Sequence, residues 1–288
     1  MRAYVLAALV VVALTSMVVT SANAVTRNLD NRRALLDLGT AEQTVFCWAW
    51  RPGDVSPLAS GRTGTWMQRL ASLWRGCAAH AAGDVDRAST EWRLAGADTY
   101  FLTHARAAVA RGDHGLALQL YQLISEVDPE SPAAWRGTAA AQMNLATVGQ
   151  AAWADMTRSA SRALALAPDD PEAHYLHGYA LWLSGADLQE AERELRWAVQ
   201  RRGDWGELYS LARLLLDDGR PAESSGLLQR ALKQVDHQEV NAQLVRAYLA
   251  TGACDDARRL FGELVARDDG GRDRLQQLCA AASACSCE

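Results

Sequence analysis

Lysine is almost missing from this 288-residue chain. Of its 29 basic residues only Lys233 is a lysine, and the rest are arginine. Phenylalanine is scarce too, at 3 residues against 10 tryptophans and 7 tyrosines. There is no excess of positive charge: aspartate and glutamate number 34, leaving a formal charge of −5. That balance excludes a nucleic-acid binder working by bulk charge. The short patterns behind common chemistries are absent as well. There is no Gly-x-Ser-x-Gly elbow, no phosphate-cradling glycine loop and no His-Glu-x-x-His pair. Neither an enzyme nor a bound cofactor is expected. What remains is 49% hydrophobic and 22% charged, the composition of a folded globular chain.

The first 24 residues stand apart. Arg2 precedes an apolar run of about 17 residues, Ala3 to Val19, followed by Ala22-Asn23-Ala24, a small-x-small site. Residues 1–24 therefore read as a secretory signal or as a retained membrane anchor, the run being long for the first and slightly short for the second. Either way residue 25 onward is expected outside the cytoplasm, periplasmic or extracellular, with any membrane contact through the leader alone. All six cysteines (Cys47, Cys77, Cys254, Cys279, Cys285 and Cys287) follow the leader. An even number in an exported chain favours disulfides, although six cysteines allow 15 pairings. Residues 25–68 read as a short amphipathic helix, Asn31–Leu38, followed by a loop rich in Gly, Pro and Ser.

From about residue 69 a period appears. Gly83, Gly112, Gly185, Gly219 and Gly252 are separated by 29, 73, 34 and 33 residues. Each is followed by small and large residues at fixed offsets: Ala88, Trp92 and Ala95 after Gly83; Ala117, Tyr121 and Ile124 after Gly112; Ala257, Phe261 and Leu264 after Gly252. The gap of 73 holds two units with about five extra residues near 147–152, the glycine between them missing. Small side chains let two antiparallel helices approach closely. A large apolar residue fills the space to the next unit, glycine permits the turn, and proline stops the second helix. A valine at Gly83 or a leucine at Ala117 is expected to overpack such a joint.

This pattern resembles the tetratricopeptide repeat family. Gly76, Gly83, Ala88 and Trp92 carry the likeness in the first unit; Gly112, Ala117 and Tyr121 in the second; Trp135, Ala163 and Pro168 in the third. Gly178 and Gly185 carry it in the fourth, Leu211 and Gly219 in the fifth, and Tyr248, Gly252, Ala257 and Phe261 in the sixth. The first unit is short, Met156 stands at a small position of the third, and Asp236 and Asp269 replace the closing prolines of the last two. The resemblance implies an all-α solenoid of about six helix-turn-helix repeats over 69–270, with 271–288 supplying a capping helix and a cysteine-bearing tail.

It also implies a function, protein–protein binding as a scaffold or adaptor. In such repeats the first helices line a concave groove. The positions matching that face include Arg106, Arg136, Asn144, Tyr175, Tyr179, Trp182, Tyr209, Arg213 and Arg246. Aromatic and arginine side chains dominate binding hot spots, and arginine pairs with carboxylates. The expected partner is a peptide or helix of another protein, acidic or ending in a carboxylate. An accessory role beside an envelope enzyme or secretion complex, and glycan binding, are the alternatives. Packing between helices is the plainer role for Tyr179 and Trp182, with arginine stems laid over them.

Residues equidistant from an antiparallel turn match in height, which pairs Cys254 with Cys285 or Cys287 and leaves Cys279 roughly 10 Å out of step. Cys47 with Cys77 would tie the loop to the first repeat. Unpaired buried thiols are the other outcome. His174 and His177 share a helix face, but only Glu172 stands near them in sequence, so no metal is expected. Asp169-Asp170 and Asp255-Asp256 read as helix caps, and Arg201-Arg202 and Arg258-Arg259 as solvated faces.

Overall fold

The computed structural model describes residues 66–149, 151–267 and 285. The leader, the 25–65 segment, Asp269 and the expected capping helix lie outside the described residues. Twelve helices occur among the described residues, and no strand. In chain order they form six consecutive pairs: α1 Trp66–Ala81 and α2 Val85–Ala95; α3 Ala97–Ala110 and α4 His114–Val127; α5 Pro132–Thr147 and α6 Trp153–Leu166. Then come α7 Pro171–Ser184 and α8 Leu188–Arg201; α9 Trp205–Asp217 and α10 Pro221–Leu232; α11 Gln238–Thr251 and α12 Cys254–Arg267. This is an all-α solenoid. No described helix is long and apolar enough to cross a membrane.

The chain divides into two compact units. The first holds α1, α2, the beginning of α3 and residues 126–129; the second holds the rest. In the first, α1 packs on α2 through Gly76. A Cβ there would lie 2.4 Å from Cδ1 of Trp92, so only glycine fits. Trp92 is 1% exposed and meets Phe101 edge-on at 5.2 Å. Gly83 differs in kind: a Cβ would meet nothing within 4 Å, and its φ is +79°. Its requirement is the left-handed backbone, so the overpacking expected of a valine at Gly83 is corrected to backbone strain.

In the second unit each helix from α5 onward packs on the next in sequence. The device seen at Gly76 recurs. A Cβ on Gly137 would stand 2.3 Å from the Tyr121 ring, and one on Gly178 would stand 2.9 Å from the Ala191 carbonyl of α8. Turns are built alike: Gly185 closes α7 at φ +68°, and Asp187 then caps α8 by accepting from the Glu190 amide at 2.9 Å. The glycine that looked missing from the third unit is present but displaced. Gly149 has φ +74° after a 16-residue α5, and α6 starts only at Trp153. The surplus residues near 147–152 are thus the extra length of this turn.

Met156, large where a small residue was expected, is fully buried. Ala139, Ala160 and Ala180 surround it and give it the room. Where Asp236 replaces a closing proline, its carboxylate accepts from Asn241 Nδ2 at 2.9 Å and His237 caps α11. The aspartates read as caps divide: Asp170 caps α7, while Asp255 and Asp256 sit in the first turn of α12 paired to Arg258 and Arg259, both at 2.7 Å. Arg202 is not merely a solvated charge. It pairs at 2.6 Å with Glu207, whose side chain is 2% exposed. Burial drives the Glu207 carboxyl above its usual range despite that partner.

Candidate functional site

The first helices of the fourth and fifth pairs gather an aromatic cluster. On α7, Tyr175, Tyr179 and Trp182 are three or four residues apart, so they share one face. Tyr179 is the hub: its ring centroid lies 5.7 Å from Tyr175, 5.7 Å from Trp182 and 6.0 Å from Trp153 at the start of α6. From α9, Arg213 sets its guanidinium 5.1 Å from the Trp182 centroid and 5.7 Å from that of Tyr209, a cation–π geometry.

The cluster is partly core. Trp182 is buried and belongs with Leu181, Leu195 and Leu211. It is the floor of the cluster, not a displayed contact, and this corrects its placement on the groove face. The three tyrosines are half-buried. Ser210 Oγ donates to the Gly206 carbonyl and so accepts from the Tyr175 hydroxyl at 3.3 Å. Tyr209 donates to Glu239 at 3.2 Å. Burial pushes the hydroxyls of Tyr175 and Tyr209 up to about 12, so both stay neutral.

The four arginines expected to meet an acidic partner do not stand alike. Arg136 is held by Asp170 and, at 3.3 Å, by Glu172. Arg246 pairs with Asp217 at 3.1 Å. Both already pair with carboxylates of the chain. Arg106 is exposed. Arg213 has no described carboxylate within ion-pair distance, and its Nε is buried without a hydrogen-bond partner. Asn144 spends its side-chain amide on the Ala140 carbonyl of its own helix. Among the residues expected to pack, Ala88, Ala117 and Ala257 are fully buried. Trp135 and Phe261 are half-buried, and Tyr248 accepts from Gln229 at 2.9 Å.

Sequence reasoning missed the neighbours of His174 and His177, because these come from α8. His174 donates from Nε2 to the Pro168 carbonyl at 2.8 Å, places Nδ1 against Glu194, and stacks 3.7 Å from Trp197. His177 lies by Glu190 and Glu194. The thirteen-residue and longer separations across the turn hid this. Cys254 and Cys285 form a disulfide with a Cα separation of 5.3 Å. Cys77 is also disulfide-bonded; Cys47, Cys279 and Cys287 lie outside the described residues.

Residues 215–282 match the tetratricopeptide repeat family. No curated protein matches the chain. Among solved structures, a MamA of AMB-1 is 18% identical with a TM-score of 0.50, covering 59% of this chain and 99% of its own. A thermophilic tetratricopeptide-repeat protein of Thermus thermophilus is 19% identical at 0.48, over 63% and 98%. YrrB, described as having an unusual peptide-binding site, is 20% identical at 0.46, over 53% and 77%. The helix pairs and their turn glycines are those of a tetratricopeptide-type solenoid, and residues 215–282, from the end of α9 through α12, match the tetratricopeptide repeat family itself.

Proposed function

We propose that the chain is a non-catalytic scaffold whose repeats hold a segment of another protein, docked on the Tyr175–Tyr179–Tyr209 face above Trp182. The observation that carries this reading is Arg213. Its charge lies over two aromatic rings, its Nε–H is buried with no acceptor, and Arg136 and Arg246 already have carboxylates. A buried donor without an acceptor is costly. An acidic side chain or chain-terminal carboxylate from a partner would pair with the accessible side of this half-buried guanidinium, and the tyrosines would supply rigid contact area. The partner segment therefore carries an acidic group beside apolar ones. The repeats act outside the cytoplasm, a reading supported by the leader at 1–24 and by the disulfide chemistry of the cysteines.

The test is photo-crosslinking in cells with the reactive group at Tyr179. A discrete protein adduct that disappears on Arg213→Ala and persists on Arg246→Ala is expected. Adducts confined to the chain itself would overturn the docking face; adducts to glycan alone would turn it into a sugar-stacking surface. Fractionation of the same cells checks export, and recovery of the protein in the cytoplasm would overturn that part.

A further inference from the structure

We propose that the contact between α7 and α8 is a binding site for a divalent transition-metal ion of the zinc type, held by His177, Glu190 and Glu194. One ligand atom from each of the three residues lies within 4.8 Å of the other two. All three are carried on helices: His177 on α7, and the two glutamates one turn apart on the facing side of α8. Ligands about 2 Å from a shared ion sit somewhat more than 3 Å apart, so a modest turn of the carboxylates closes the set.

His177 also has an unmet valence. Its residue is 8% exposed, its Nε2 lies 3.0 Å from Ser161 Oγ of α6, and its Nδ1 is shut off from solvent with no hydrogen-bond partner. A neutral imidazole is the form that ligates metal. The carboxylates carry a matching cost. Like charges one turn apart on a helix repel. Arg193 reaches only Glu190, at 3.2 Å, and His174 only Glu194. A dication relieves the repulsion and gives the imidazole a partner.

One imidazole with two carboxylates suits zinc and its first-row neighbours; magnesium and calcium prefer oxygen alone. His174, bridging Glu194 to the Pro168 carbonyl, would orient the carboxylate from behind, as outer partners of metal ligands do. The bound ion would pin α7, the helix that carries Tyr175 and Tyr179, against α8. The site stands independently of the docking proposal.

The experiment uses the full chain without a histidine tag, stripped with chelator and titrated with zinc chloride by calorimetry. Thermal unfolding and cobalt absorption spectra are read in parallel. Binding of one equivalent is expected, with a rise in Tm and visible cobalt bands of a four- or five-coordinate centre. Glu190→Gln relieves the repulsion with Glu194, so the metal-free protein stays folded, and it weakens zinc at least about tenfold. His177→Asn removes the cobalt bands. Absence of one-equivalent binding overturns the proposal, as does binding that survives Glu190→Gln and His177→Asn undiminished. Should His177→Asn misfold, the Glu190→Gln titration decides by itself.

Discussion

The two helices of the fourth repeat, α7 and α8, are each 14 residues long yet solve opposite problems. α7 reads PEAHYLHGYALWLS and has one charged residue; α8 reads LQEAERELRWAVQR and has six. α7 packs on α6 and on α8, and carries the aromatic cluster on its remaining face. It has little outward surface for charge, and its few polar groups must find partners in neighbouring helices. α8 buries only Ala191, Leu195, Ala198 and Val199 and spends its charges on exposed pairs such as Arg193–Glu190 and on the Glu192–Arg196–Arg220–Glu223 network. Chemistry in this repeat is expected on α7, the inner helix in the sense that it buries seven residues against four. The more exposed outer helix, α8, supplies the carboxylates that reach it.

The comparison can be broken most severely on the inner helix. Trp182→Ala removes the floor of the aromatic cluster and should cost about 3 kcal/mol. Denaturant unfolding measures it, and a loss near zero would mean that α7 collapses freely onto its neighbours. Gly178→Val forces a side chain into the 2.9 Å gap against the Ala191 carbonyl and should cost about 2 kcal/mol. The same valine at Gly226, where a Cβ meets nothing within 4 Å, is the control and should cost well under half as much.

Acid separates the two helices by pH. His177 has a depressed pKa in the fold, so protons bind the unfolded chain first. Its contribution to stability is whole above the ordinary value of 6.5 and declines as pH falls below it. On the outer helix, burial alone would raise the Glu192 carboxyl, but hydrogen bonds from Arg196 and Arg220 hold it below its usual range. Bonds from the same two arginines lower Glu223. Their contribution is present above about pH 4.5 and is lost as pH falls further. A metal-free unfolding series should therefore weaken in two steps, with only the upper one removed by His177→Asn. The smallest effect belongs to the exposed face: Arg193→Ala should change stability by less than about 0.5 kcal/mol, and salt should erase even that.

The repeat period was legible because it rests on positions where no other residue fits. Gly76 and Gly178 leave no room for a Cβ, and Gly185 needs a left-handed backbone. Such requirements are local and leave a mark in the sequence. Gly149 escaped because the period assumed a constant helix length, and α5 runs to 16 residues. The partners of Arg136 escaped for another reason. Asp170 is 34 residues away and reads as a helix cap; it caps α7 and pairs with Arg136 at once. Burial of Trp182 depends on how α9 lies across α7, which one-dimensional spacing does not encode. The same holds for His177, whose acidic neighbours face it across a turn.

The Cys254–Cys285 disulfide has a consequence for how the solenoid comes apart. In a stack where each helix touches mainly its neighbours, unfolding behaves like a zipper that opens from an end. Here the bond spans 31 residues, and Cys285 is packed among Ala242, Val245, Leu249 and Ala257 of the last pair. Such a closure removes loop entropy from the unfolded chain worth about 3 to 4 kcal/mol. The zipper is riveted at that end while oxidised, and amide exchange in α11 and α12 becomes a readout of the redox state of its surroundings.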